Sequence, residues 1–302
     1  VIDIAYWKRW LLVNLIIAPF RAPKSAAVYK QLWQDRGSPL LFYGEDLKVL
    51  LQQALGDQYQ VELGMRYQNP KLESALDKLK PLPKIIVIPL FPQYASATTG
   101  SVQQKVMELL EKWITIPELV FVSNFLEEPL FIEAFAQLAR SYLKNVEYDH
   151  FIFSYHGIPE RQIKSAAVDN YCQLNQKCCA KYHQKNRFCY RAQCFQTSRL
   201  LADALEISPE NYTVSFQSRL GKDPWIQPYT DQVIEEMPAR GLKKVLAFSP
   251  SFVADCLETT IEVGDEFSEI FLEAGGEHWQ LVESLNDSDT WVACLKEIVL
   301  KY

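Results

Sequence analysis

Long apolar runs are missing from this chain. The nearest candidate, residues 11–20, is short, contains Asn14 and Pro19, and is flanked by Lys8, Arg9 and Arg21, so it does not read as a membrane-spanning helix. No small-residue cleavage site follows it, and it does not read as a secretory leader either. An excess of positive charge is also lacking: 31 Lys and Arg stand against 37 Asp and Glu, a formal net charge of −6, which argues against nucleic acid as a partner. Low-complexity tracts are absent. Histidine is scarce at four residues, and methionine at three. What is present is 302 residues, 48% hydrophobic and 23% charged, enough to bury two ordinary cores.

Strand-like apolar runs recur at 59–64, 84–90, 118–122, 150–153, 213–216 and 243–248, and helical periodicity separates them at 45–55, 102–114, 129–143 and 196–205. Such alternation predicts parallel sheets covered by helices on both faces. The length and the two groups of strands point to an α/β fold of two similar Rossmann-like domains. A boundary near 123–147 divides them into 1–124 and 125–283.

Two segments carry chemistry. The apolar run of residues 151–153 ends in Ser154, Tyr155, His156 and Gly157, and open α/β sheets bind ligands at the carboxyl ends of their strands. An imidazole delivered there is placed to exchange protons. The second segment follows the strand at 243–248. At α-helical spacing Asp255, Glu258, Glu262, Glu266, Glu269 and Glu273 fall on one stripe, with Leu257, Ile261, Phe267, Ile270 and Phe271 opposite. Like charges at i,i+4 repel, and no Lys or Arg occurs between Lys244 and Lys296 to offset them. The stripe reads as a place for something cationic, against the blander reading of a solvated acidic face.

With Gly37 to Leu40, Gly64 to Tyr67, Pro89 to Tyr94, Ser154 to Pro159, Phe216 to Arg219, Pro224 with Trp225, and Asp255 to Glu258 in this order, the chain resembles the ferrochelatases, which insert ferrous iron into a porphyrin in heme synthesis. The resemblance implies the two-domain architecture, with the last helix in 284–302 packing back on the first domain. It implies His156 and Glu258 as the catalytic pair, and Glu262 and Glu266 as the further acidic residues one and two turns on. It also implies a start later than in family members. They open with a strand and an Asn-Leu-Gly turn, whereas here Asn14 and Leu15 precede Ile16, and the first strand is expected to be missing.

Metalating a porphyrin removes two pyrrole protons while a hydrated cation sheds water. A neutral imidazole is a suitable acceptor, and a nearby carboxylate stabilises the imidazolium formed. His156 and Glu258 suit these roles. Glu262 and Glu266 either pass protons outward or, with His156 and Glu258, hold the cation as hard donors. Carried over by motif, Arg66, Tyr67, Tyr94, Ser96, Thr98 and Trp225 are the candidate porphyrin contacts, although Tyr94 and Trp225 read equally well as ordinary aromatics. Residues 11–20 form a lip that either rests on a membrane surface or packs into the core. The resemblance implies porphyrin and ferrous iron as partners, peripheral membrane contact of a cytoplasmic protein, and contact with the preceding enzyme of the pathway.

Cys172, Cys178, Cys179, Cys189 and Cys194 crowd one polar segment after the His156 motif. In a reducing compartment, clustered thiols point to ligation more than to disulfides. Some family members carry a [2Fe–2S] cluster on four cysteines, which makes Cys172, Cys179, Cys189 and Cys194 the preferred ligands, with Cys178 interchangeable with Cys179. Zinc and independent thiols are the alternatives, and no pair of Cys-x-x-Cys units supports zinc. Two other functions compete with iron insertion: a chelatase for cobalt or nickel, and a two-lobed heme- or metal-binding protein.

Overall fold

The computed structural model describes residues 18–221 and 223–302. Residues 11–17 of the lip, and the Asn14–Leu15 departure, lie outside the described residues. Two parallel sheets organise the rest. The smaller pairs β1 (Lys84–Val87) with β2 (Glu118–Phe121). The larger has four strands, β3 (His150–His156), β4 (Tyr212–Gln217), β5 (Lys244–Phe248) and β6 (His278–Leu281), in the order β4-β3-β5-β6.

The central strand β3 is buried along nearly its whole length, as a strand covered by helices on both faces must be. Its Phe153 and Tyr155 join Phe216 and Phe248 in the principal core. A corner fixes how β5 enters beside it: the Asp149 carboxylate accepts both the Lys243 and Lys244 amide N–H groups at 2.8 Å.

The helices begin and end where local chemistry dictates. In chain order they are α1 (Ala18–Leu32), α2 (Pro39–Leu55), α3 (Leu72–Leu79), α4 (Ser101–Leu110) and α5 (Pro129–Leu143). Pro39 and Pro129 occupy first-turn positions, where a missing N–H costs nothing. The chain leaves α2 through Gly56 at φ 72°, a conformation that favours glycine. There follow α6 (Glu160–Ala166), α7 (Gln176–Cys179), α8 (Tyr190–Ala204), α9 (Thr230–Glu236), α10 (Phe267–Glu273) and α11 (Asp289–Leu300). The last of these packs against α2 and α5. Among the described residues, no helix is long and apolar enough to cross a membrane.

Three details differ from the pattern read in the sequence. Residues 59–64 form no strand: they pair in no ladder among the described residues. They are tied instead to the α2 side chain of Gln52, which bonds Tyr59 O and Val61 N. β6 went unpredicted because its four residues, with His278 and Gln280, make too short a pattern. The acidic segment is a π-helix over Leu257–Glu266 that continues into α10.

His150, at the start of β3, has acid-sensitive consequences. Burial, and then the positive charge of Arg240, lower its pKa to about 4. An unfolded histidine titrates near 6.5, so the unfolded chain takes this proton first as pH falls. Stability is therefore lost between about pH 6.5 and 4, by at most about 3 kcal/mol from this group. Urea unfolding at pH 7 and 4.5 is expected to show a smaller acid loss for His150→Gln than for the parent, and equal losses would exclude the effect.

Candidate active site

The carboxyl ends of β3, β4 and β5 converge on His156. Its neighbour Gly157 is there because backbone and ring approach too closely for a side chain: a Cβ would sit 2.9 Å from Gln217 O and 3.2 Å from the Trp225 ring. The ring centroids of Trp225 and Phe252 stand 6.3 and 6.5 Å from that of His156, walling the imidazole with apolar surface. Its Nδ1 is 2.6 Å from the Gly157 carbonyl oxygen. A carbonyl only accepts, so the neutral ring carries its hydrogen on Nδ1 and leaves the Nε2 lone pair free to take a proton.

Behind the ring lies a polar clamp that the sequence motifs touched without assigning. Gln217, paired with His156 across the sheet and buried, donates from Nε2 to Glu258 O at 2.9 Å and to Glu262 Oε2 at 3.1 Å. Its Oε1 accepts from Ser154 Oγ at 2.6 Å. Ser218 stands at φ 64°, a strained conformation for a non-glycine residue, and its hydroxyl bonds the same Glu262 carboxylate. A serine at a strand end in the Phe216 to Arg219 motif was the available signal. Burial raises the Glu262 pKa, opposed by the Ser218 and Gln217 hydrogen bonds and by the positive charge available at His156.

The π-helix redraws the acidic stripe. Its i→i+5 bonding widens each turn, a departure frequent at functional sites. Asp255 leaves the stripe altogether: it lies before the helix, where its carboxylate accepts from Ser284 N and Asn286 Nδ2. Glu258 is half-buried on the first turn, close enough to the Cys256 thiol and the Tyr29 hydroxyl for its charge to raise both pKa values, after the larger effect of burial. Glu266 is exposed at the far end. Tyr29 belongs to α1, which packs over the π-helix. Among the described residues no three His, Cys, Asp or Glu side chains converge as a ready-made metal site.

The candidate porphyrin contacts fall into two places. Tyr94 follows β1, and Ser96 and Thr98 lie on the π-turn Ser96–Gly100. Arg66 donates from Nε to Ser101 O and Oγ at 3.1 and 2.9 Å, directly after that turn, and its guanidinium covers the exposed Tyr67 ring at 4.6 Å. These five residues form one rim. Gln93 ties the rim to the His156 side by donating to Pro250 O and Thr197 Oγ1. Trp225 sits beside His156. A separate hollow of about 530 Å³ is lined by Tyr148, Phe151, Leu205 and Ile207 among others, but it opens at the amino ends of β3 and β4, the wrong end of a parallel sheet for ligands.

The five clustered cysteines are all free. Cys178 and Cys179 sulfurs are 3.9 Å apart, Cys179 and Cys189 share a hydrogen bond that raises the first thiol and lowers the second, and Cys172 interacts with Cys178. Cys194 is fully buried behind them.

The family model described as Ferrochelatase matches residues 1–302. A ferrochelatase of Legionella pneumophila (strain Lens) is 44% identical over 299 residues, 99% of this chain and 89% of that protein. One from Coxiella burnetii (strain Dugway 5J108-111) is 41% identical over 307 residues, 100% of this chain and 84% of that one. Among solved structures, SirB from Bacillus subtilis with Fe3+ superposes with a TM-score of 0.57 at 11% identity, covering 88% of this chain and 91% of its own, a likeness of fold. With the parallel sheets, the His156 strand end and the π-helix in place, the chain belongs to the ferrochelatase family.

Proposed function

We propose that this chain inserts ferrous iron into a porphyrin, with His156 accepting the pyrrole protons and Glu258 holding the imidazolium that results. The observation that carries this reading is the Nδ1 hydrogen bond to Gly157 O, which leaves Nε2 as a bare acceptor between two aromatic walls. Glu258 lies on the turn under α1, its carboxylate hydrogen-bonded with the Cys256 thiol, at the edge where substrate would enter. Glu262 is held by Ser218 and Gln217, which suits a fixed relay passing protons toward exposed Glu266, with both carboxylates able to receive the incoming hydrated cation. Arg66, with Tyr67, Tyr94, Ser96 and Thr98, is the rim for the propionates, and Trp225 lies against the macrocycle. Exposed Trp33 and Leu40, at the junction of α1 and α2, support peripheral membrane contact on the face where the preceding enzyme would deliver the porphyrin. Purified protein is expected to metalate protoporphyrin or coproporphyrin with ferrous iron or zinc, followed by absorbance. Turnover only of a carboxylate-rich macrocycle with cobalt or nickel would replace this reading by the rival chelatase.

The thiol nest suits a [2Fe–2S] cluster better than a single ion. Each iron of such a cluster takes two thiolates, and four of the thiols here are neighbours in one run, Cys172 to Cys178 to Cys179 to Cys189. The buried Arg191 guanidinium, 3.1 Å from Cys179 Sγ, offers positive charge to a thiolate set that would otherwise be a costly buried anion. Cys172, Cys179, Cys189 and Cys194, or Cys178 for Cys179, would hold it. Such a cluster would serve as a structural cross-link, since insertion leaves iron ferrous and needs no electron. Anaerobically purified protein is expected to be coloured, with two non-heme irons and two labile sulfides per chain, both lost on Cys189→Ser or Cys194→Ser. Colourless, fully active protein with titratable thiols would exclude it.

A further inference from the structure

We infer that the first turn of α8 ties the thiol nest to the proton acceptor, with Tyr190 as the positioning residue of His156. The ladder between β3 and β5 stops at Phe153 and Phe248, so on that flank the main chain of His156 has no strand partner. Its N–H reaches Ser251 Oγ at a long 3.4 Å, whereas its carbonyl accepts from the Tyr190 hydroxyl at 2.9 Å. Tyr190 is buried, and since a carbonyl only accepts, its hydroxyl is the donor.

This one bond bears on the chemistry of the ring. The peptide between His156 and Gly157 is held on one side by Tyr190 and on the other by Gly157 N–H donating to Gln217 O at 2.8 Å. Its orientation decides where the next carbonyl, Gly157 O, points, and that oxygen is the partner of Nδ1. Without Tyr190 the peptide loses a fixed point. The tautomer that leaves Nε2 bare then loses its selection.

The neighbours of Tyr190 place the turn. Cys189 is the residue before the helix. Arg191 donates to Cys179 Sγ and Asn175 O at 3.1 Å and to Gln227 O at 3.1 and 3.2 Å. None of these partners is a carboxylate, and Arg191 is only 5% exposed. The guanidinium thus fixes the Cys179 sulfur and two main-chain carbonyls to the first turn of α8 at once. Gln193, in the same turn, accepts from Tyr94 N at 2.6 Å. Three residues within four positions thus reach the proton acceptor, the thiols and the rim.

The coupling rests on His156 being the proton acceptor, but its readout does not. In protein labelled with 15N and 13C at histidine, free of porphyrin and added metal, NMR is expected to find a single Nδ1–H tautomer at His156. Tyr190→Phe, which keeps the ring and its packing, is expected to give a mixture with the Nε2–H form and about a tenfold lower kcat at little-changed porphyrin KM. Arg191→Gln, which removes the charge at Cys179 without touching Tyr190, is expected to mix the tautomers too, and Arg191→Lys to restore part of the selection. One tautomer and normal kcat in folded Tyr190→Phe would reduce Tyr190 to core filling and overturn the inference. Mixing in Tyr190→Phe with none in Arg191→Gln would overturn the link to the thiols. Mixing with unchanged kcat would uphold the positioning while removing His156 from the reaction.

Discussion

His156→Ala is expected to lower kcat for iron or zinc insertion by at least about a hundredfold, the loss typical of a missing general base. The variant should still fold and bind porphyrin. The ring is half-buried at a strand end rather than in the core, and its own hydrogen bond runs to the next residue's carbonyl, so its removal unmakes no long-range hydrogen bond of the ring. Trp225 and Phe252 remain to face the macrocycle. The decisive comparison is porphyrin affinity, by fluorescence quenching, against turnover: loss of both would point to a structural role, and retention of both would remove His156 from the mechanism.

Glu258→Gln is expected to be nearly as damaging, and more so than the same change at Glu262 or Glu266. The substitution keeps volume and removes charge, so it isolates the electrostatic contribution of a carboxylate on the first turn of the π-helix, facing α1. A carboxylate stabilising an imidazolium in a water-poor cleft is worth far more there than in bulk solvent. Glu262 differs because its carboxylate is already bonded by Gln217 and Ser218. A glutamine at 262 can still accept one of these bonds. Its loss should therefore alter metal dependence more than kcat, and Glu266→Gln, on an exposed residue, should act least. Equal and small effects at all three would restore the reading of a solvated acidic face.

Much of this was legible in the sequence because it depends on local pattern. The buried run of β3, with His156 at its carboxyl end, is readable from apolar continuity and the strand-end rule alone. Helices such as Pro129–Leu143 carry their own start signals in a first-turn proline and 3.6-residue spacing. The strand expected at 59–64 failed for a nonlocal reason, since a strand exists only where a neighbour pairs with it. The acidic stripe was half right. Charge was there, but α-helical spacing was assumed, and the i→i+5 geometry of Leu257–Glu266 depends on how that helix packs over the sheet and under α1.

By itself, then, the sequence determined the alternation that makes parallel sheets, the residues of the His156 and Glu258 motifs, and the crowding of five thiols. These follow from composition and short-range periodicity. Only the tertiary structure decided which groups meet. It set Gln217 beside His156 through strand register, swung Asp255 away to Ser284 and Asn286, selected the ring tautomer through Gly157 O, and brought Tyr190 under the His156 carbonyl. The physical reason is common to all four. Each contact is decided within a few tenths of an ångström between residues 1 to 61 positions apart, and only the packed sheet and helices hold distant parts of the chain to that tolerance.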